Sequence, residues 1–149
     1  MMDTKTQLNE AVKQAMKAGD ELRKRTVRMA LAAIKQAEVD RRVTLDEAAV
    51  LAILQKEIKT RKESLEEAQK AGRTDLADAA QAEIEVLNAF LPKGLSVDEL
   101  RELARQAVAE TGASGPADMG KVMKAMMSKV AGRAPGDQVS AVVRELLQD

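Results

Sequence analysis

Four cations lie close together in the C-terminal part of this sequence. Lys121, Lys124, Lys129 and Arg133 fall within Met119 to Arg133, a stretch with no acidic residue. On a helical wheel of ~100° per residue, Met119, Val122, Met123, Met126 and Val130 share one arc. Lys121, Lys124, Ser128 and Lys129 take the opposite arc. An uncompensated cationic face binds phosphate backbones through charge attraction and counterion release. Gly120 and Gly132 belong to the same stretch and have no Cβ to hold a ligand's backbone away. The spacing is equally that of an ordinary solvated lysine face.

A second cluster, Arg23, Lys24, Arg25 and Arg28, is opposed by Asp20 and Glu21. A third, Lys56, Lys59, Arg61 and Lys62, is diluted by Glu57 and Glu63. Phe90 is the single aromatic residue and none of the basic clusters has interleaved aromatics, so single-strand recognition by base stacking is not expected. Any nucleic acid would be held by shape and phosphate, as a folded RNA is.

Catalytic chemistry finds less support. The chain has no cysteine and no histidine, which removes thiolate and imidazole nucleophiles, bases and metal ligands together. A Ser128–Lys124 dyad at i and i+4 needs a buried lysine, and the spacing suggests a solvated face. Glu63, Glu66, Glu67, Glu83 and Glu85 could serve as acids or bases only in a desolvated cleft. They alternate with Lys and Arg as ion-paired helix surfaces do. The expectation is therefore no catalytic residue, no metal ligand and no cofactor.

These residues must be positioned by helices. Leu, Ile, Val, Met and Ala have to make the core, since hydrophobic residues are 45% of the chain and aromatics 1%. Apolar residues recur at three and four positions along seven segments. The first runs from about Thr4 to Ala18, with Leu8, Ala11, Val12, Ala15 and Met16 inward. The second spans about Asp20 to Arg42. The third opens on a capping box at Thr44-Leu45-Asp46-Glu47 and ends at Ala71-Gly72. The fourth follows Thr74, places Leu76, Ala80, Ile84, Leu87 and Leu91 inward, and stops at Pro92. Ser96-Val97-Asp98-Glu99 caps the fifth. The sixth spans about Ala117 to Ala131, and Asp137 caps the seventh.

Pro92-Lys93-Gly94 is the natural boundary between two parts. The expected architecture is all-α, with an N-terminal bundle of about four helices (1–92) and a small three-helix C-terminal domain (93–149). Formal charge is zero, 24 basic residues against 24 acidic, so any polyanion contact is local. No apolar run reaches the ~18 residues of a membrane span. The N-terminus lacks the apolar core of a secretion signal. With the absence of cysteine, these features lead to the expectation of a cytoplasmic protein without membrane contact.

Several segments resemble a known family. Glu110-Thr111-Gly112-Ala113-Ser114, Asp118-Met119-Gly120-Lys121-Val122-Met123 and Lys129-Val130-Ala131-Gly132-Arg133-Ala134 are similar to the tail domain shared by the YqeY family and the B subunit of aspartyl/glutamyl-tRNA amidotransferase. Arg28-Met29, Ala33-Ile34-Lys35, Leu54 to Lys59, Arg61 to Ser64, Ala71-Gly72-Arg73 and Leu91-Pro92 resemble the YqeY family specifically. The likeness covers nearly the whole chain and lacks the amidotransferase's catalytic domains. It implies a two-part helical protein whose tail helps hold tRNA while chemistry occurs elsewhere. Carbon–nitrogen ligase activity with glutamine as donor would be inherited in name only. On this basis Lys121, Lys124, Lys129 and Arg133, with Gly120 and Gly132, are the expected RNA contacts. Arg23, Lys24, Arg25 and Arg28 form a secondary basic patch. The alternative is a protein–protein interaction module, docking through Met127 and its apolar neighbours.

Overall fold

The structure, a computed structural model, describes residues 2–148. Among them every regular element is helical, and no helix is long and apolar enough to cross a membrane. The chain divides into two compact units, one ending at Leu91 and the other beginning at Pro92.

The first unit holds α1 (Thr4–Ala18), α2 (Glu21–Arg41), α3 (Glu47–Lys70) and α4 (Thr74–Asn88). α1 packs along α2, and α3 packs along α4. Leu8, Val27, Ala30, Ile34, Leu54 and Leu87 are fully enclosed between them. Each large aliphatic side chain buried in this way contributes about 1.5–3 kcal/mol. Asp3 and Asp20 cap α1 and α2 by accepting from the N–H groups of Thr6 and Arg23. Gly19 ends α1 at φ +70°, a left-handed conformation open to glycine without strain.

Three local expectations shift. α3 is capped by Asp46, which accepts from Ala49 N–H, and not by Thr44. α4 stops at Asn88, before Pro92, because Phe90 and Leu91 tighten into turns on the carbonyls of Leu87 and Asn88. Leu76 and Met16, both expected inward, are 51% and 56% exposed. Ala77 is buried on α4 in place of Leu76.

Two glutamates tie the helix ends of this unit together. The Glu47 carboxylate of α3 accepts from the backbone N–H of Thr4, at the positive end of the α1 dipole. Glu38 of α2 accepts from Lys5 Nζ at 2.9 Å and from Leu45 N–H at 2.9 Å. The Lys5 hydrogen bond first, and the Leu45 amide second, hold the Glu38 carboxyl below its ordinary value of 4.5. A carboxylate depressed in the folded state stabilises fully above its unfolded pKa, and that stability is lost as pH falls through the folded value. Glu38→Gln should therefore flatten the acid limb. Between ~pH 5 and ~pH 3 the variant's urea midpoint should fall less than that of the parent. Parallel acid limbs would show that Glu38 is not a contributor.

The second unit holds α5 (Val97–Thr111), a 3-10 turn (Pro116–Asp118), α6 (Met119–Val130) and α7 (Gly136–Gln148). Its core is Leu100, Ala104, Ala107, Val122, Met126, Val130, Val139 and Val143. Ser96 and Glu99 form a reciprocal capping box on α5. The sixth helix thus begins two residues later than its spacing predicts, because Pro116 opens a tighter turn. Asp137 lies inside the first turn of α7 instead of capping it, and Pro135 O receives the N–H groups of Gln138 and Val139.

Candidate nucleic-acid interface

α6 presents the cationic face. Val122, Met126 and Val130 anchor one side of it in the core, which turns Gly120, Lys121, Lys124, Met127 and Ser128 outward. Lys121 and Lys124 stand three residues apart, so their Cβ atoms are ~5–6 Å from each other. Among the described residues Lys124 makes no ion pair. No side chain crowds Gly120, where an added Cβ would meet nothing within 4 Å.

The remaining expected contacts are engaged elsewhere. Lys129 sits at the edge of the buried stripe, 24% exposed, with Nζ 2.9 Å from Glu110 Oε1 of α5. Lys121 is 3.9 Å from Asp118 Oδ1. Asp118 accepts first from Ser114 N–H, and that bond, followed by the Lys121 charge, holds its carboxyl below 3.8. Arg133 Nε donates to the Lys93 carbonyl at 3.1 Å, and the Arg133 carbonyl accepts from Leu95 N–H at 2.9 Å. Arg133 therefore clasps the turn after α6 to the segment before α5. Gly132 adopts φ +78° directly after Ala131, itself left-handed at φ +49°. Its role is to reverse the chain.

The face that sequence spacing draws as four charges is thus narrower. Lys121 and Lys124 share a stripe; Lys129 and Arg133 lie apart from it. The neutralising carboxylates Glu110 and Asp118 are beyond reach of wheel reasoning, since one is on another helix and the other precedes the stretch. Of the methionines, Met126 is fully buried, Met119 and Met123 are partly buried, and Met127 is 42% exposed beside Lys124.

The secondary patch opens α2. Lys24 Nζ is 2.9 Å from Glu21, and Arg25 Nη2 is 3.8 Å from Glu83 of α4. Arg23 is partly buried, while Arg28 is exposed and its Nη2 points at Met16 Sδ, 3.7 Å away. Two of the four cations, Lys24 and Arg25, are thus paired with carboxylates. Among the described residues no group of three or more Asp or Glu side chains is arranged to hold a metal ion.

One charged group escapes sequence reading altogether. Arg61, expected on an exposed ion-paired face of α3, is buried at 7% exposure. Its Nη1 donates to the Glu57 carbonyl and carboxylate, and its Nε lies 3.6 Å from Glu83 Oε2. A signal existed: the inward series Leu54, Ile58, Leu65, Ala68 passes through position 61 at helical spacing.

The sequence pattern of the family described as Yqey-like protein matches residues 5–147. The chain belongs to that family. Among curated relatives, altered inheritance of mitochondria protein 41 of Pyrenophora tritici-repentis is 30% identical over 139 residues, 91% of this chain and 76% of that protein. Its namesake in Eremothecium gossypii is 37% identical over 106 residues, 70% of this chain and 57% of that protein. That of Lachancea thermotolerans is 40% identical over 91 residues, 60% of this chain and 49% of that protein. The chain thus spans about half the length of these last two relatives. These names overturn the expectation of a cytoplasmic protein, because all three family members are designated mitochondrial. The features behind that expectation, absent cysteine and absent spanning helices, suit any reducing aqueous compartment and do not separate one from another.

Proposed function

We propose that this protein is an accessory module that holds a folded RNA, in the first instance tRNA, against the outward face of α6, with chemistry performed by another protein. The observation that carries this reading is the Gly120–Lys121–Lys124–Ser128 stripe, in which, among the described residues, Lys124 has no carboxylate bonded to it. A flexible, uncompensated ammonium beside an uncrowded glycine suits a phosphate backbone. The likeness of the C-terminal unit to the amidotransferase tail supports placing it beside a glutamine-dependent, amide-forming enzyme acting on tRNA. The two compact units, which divide between Leu91 and Pro92, one residue before the boundary expected from sequence, are read as separate domains with RNA contact in the second. The exposure of Met127 beside Lys124 supports a second reading, a protein-docking face at the same place.

A tRNA titration across a salt series tests the proposal. Lys121→Ala/Lys124→Ala should weaken binding and reduce the log–log salt slope by about one to two, about one for unpaired Lys124 and less for Lys121, which Asp118 holds at 3.9 Å. Lys129→Ala should change it less, since Glu110 already compensates that charge. Weak binding with an unchanged slope in the double variant would overturn the RNA reading.

A further inference from the structure

The outward face of α2 carries a groove of about 400 Å³ lined by Glu21, Lys24, Arg25, Arg28, Met29 and Ala32. The groove is shallow and open, and all six of these residues stand on α2 alone. The lining residues recur at three- and four-residue steps and run about 16 Å along the helix, three turns of a docked helix. Met29 within it and Met16 beside it are 50% and 56% exposed, which places two large apolar side chains side by side at the surface. Methionine surfaces of this kind adapt to apolar partners.

Charge decides the class of partner. A phosphate backbone requires uncompensated cations, yet Lys24 is bonded to Glu21, and Arg25 faces Glu83. Glu21 itself stands on the rim and would repel a polyanion. Arg28 differs, because its side-chain partner is the uncharged Met16 sulfur. The rim therefore offers one available positive charge beside an apolar track, with the other charges already balanced. This pattern complements an amphipathic helix, which can lay an apolar stripe along the groove and set one carboxylate against the guanidinium.

We propose that the α2 groove docks an amphipathic helix of a partner protein, its apolar stripe on Met29 and Ala32 and an acidic side chain against Arg28. This site is in the first unit and is independent of the α6 face.

Two synthetic helical peptides provide the probe. They share a leucine stripe at i, i+3, i+4 and i+7, and carry either glutamate or lysine at the flanking positions. Titration into the isotope-labelled full chain is followed through backbone amide shifts. The glutamate peptide should shift α2 amides saturably and bind about tenfold tighter than the lysine peptide. Arg28→Gln should abolish that preference, Arg28→Glu should reverse it, and Met29→Asp should weaken both peptides. Lys121→Ala/Lys124→Ala should leave peptide binding unchanged, which separates this result from failure of the RNA reading. Arg28 is exposed, so circular dichroism of its variants should match the parent; Met29 also covers Arg61, so Met29→Asp is compared with the parent by its urea midpoint as well, and the Arg28 variants alone decide the proposal if that midpoint shifts. Equal binding of the two peptides, shifts confined to other helices, or α2 amides moved by tRNA and not by peptide would overturn the proposal.

Discussion

Arg61→Ala should destabilise the first unit by about 3 kcal/mol, the cost of breaking a buried ion pair from one side. Arg61 is the cation that answers both Glu57, at 2.7 Å, and Glu83, at 3.6 Å, while its own side chain is 8% exposed. Truncation leaves two carboxylates that are 25% and 20% exposed without that compensation. It also opens a cavity under Met29, whose sulfur accepts from Arg61 Nη2. Arg61→Lys should recover part of the loss, because one ammonium cannot reproduce the fork that serves α3 and α4 together. Arg61→Leu/Glu83→Leu should be more stable than either single leucine variant, since the Arg61–Glu83 contact is replaced from both sides at once, although Glu57 still loses its partner. Urea unfolding followed by far-UV circular dichroism measures all five. A loss for Arg61→Ala under about 1 kcal/mol would mean the network behaves as an exposed surface pair.

Met126→Ala should remove the second unit's fold while sparing the first. Met126 has no exposed surface and sits among Leu100, Val122, Val130 and Val143. Large-to-small changes at such positions cost about 2–5 kcal/mol. A core this small has little stability in reserve, because short chains bury a smaller share of their surface. Hydrogen exchange resolves the outcome by residue. Amides of α5, α6 and α7 should lose protection, and those of α1 to α4 should keep it. The α6 stripe depends on α6 being helical, so tRNA affinity should fall with the same variant even though every lysine remains. A single transition that unfolds all seven helices together would show that the two units do not fold separately.

The amino-acid sequence by itself determined the helices. Apolar residues at three- and four-residue steps, with Asp3, Asp20 and Ser96 as caps and Gly19 and Gly112 as stops, are local signals, and helical hydrogen bonds are local too. α1 begins and ends where its pattern does. Local pattern fails where a neighbour from elsewhere in the chain takes part. Leu76 fits the inward period of α4, yet packing selects Ala77. Charge shows the same division more sharply. A sequence reveals that Lys121, Lys124, Lys129 and Arg133 are near one another, but an ion pair is decided by what crosses the gap between helices. Glu110 reaches Lys129 over a separation of 19 residues, and the Lys93 carbonyl reaches Arg133 over 40. Arg61 is the extreme case: its neighbours in sequence are those of a solvated face although it falls on the inward period of α3, Glu57 pairs with it one turn away on the same helix, and only tertiary packing brings Glu83 and Met29 over it. Periodicity is a property of one helix, whereas desolvation and charge pairing are properties of several, and they exist only once the helices have met.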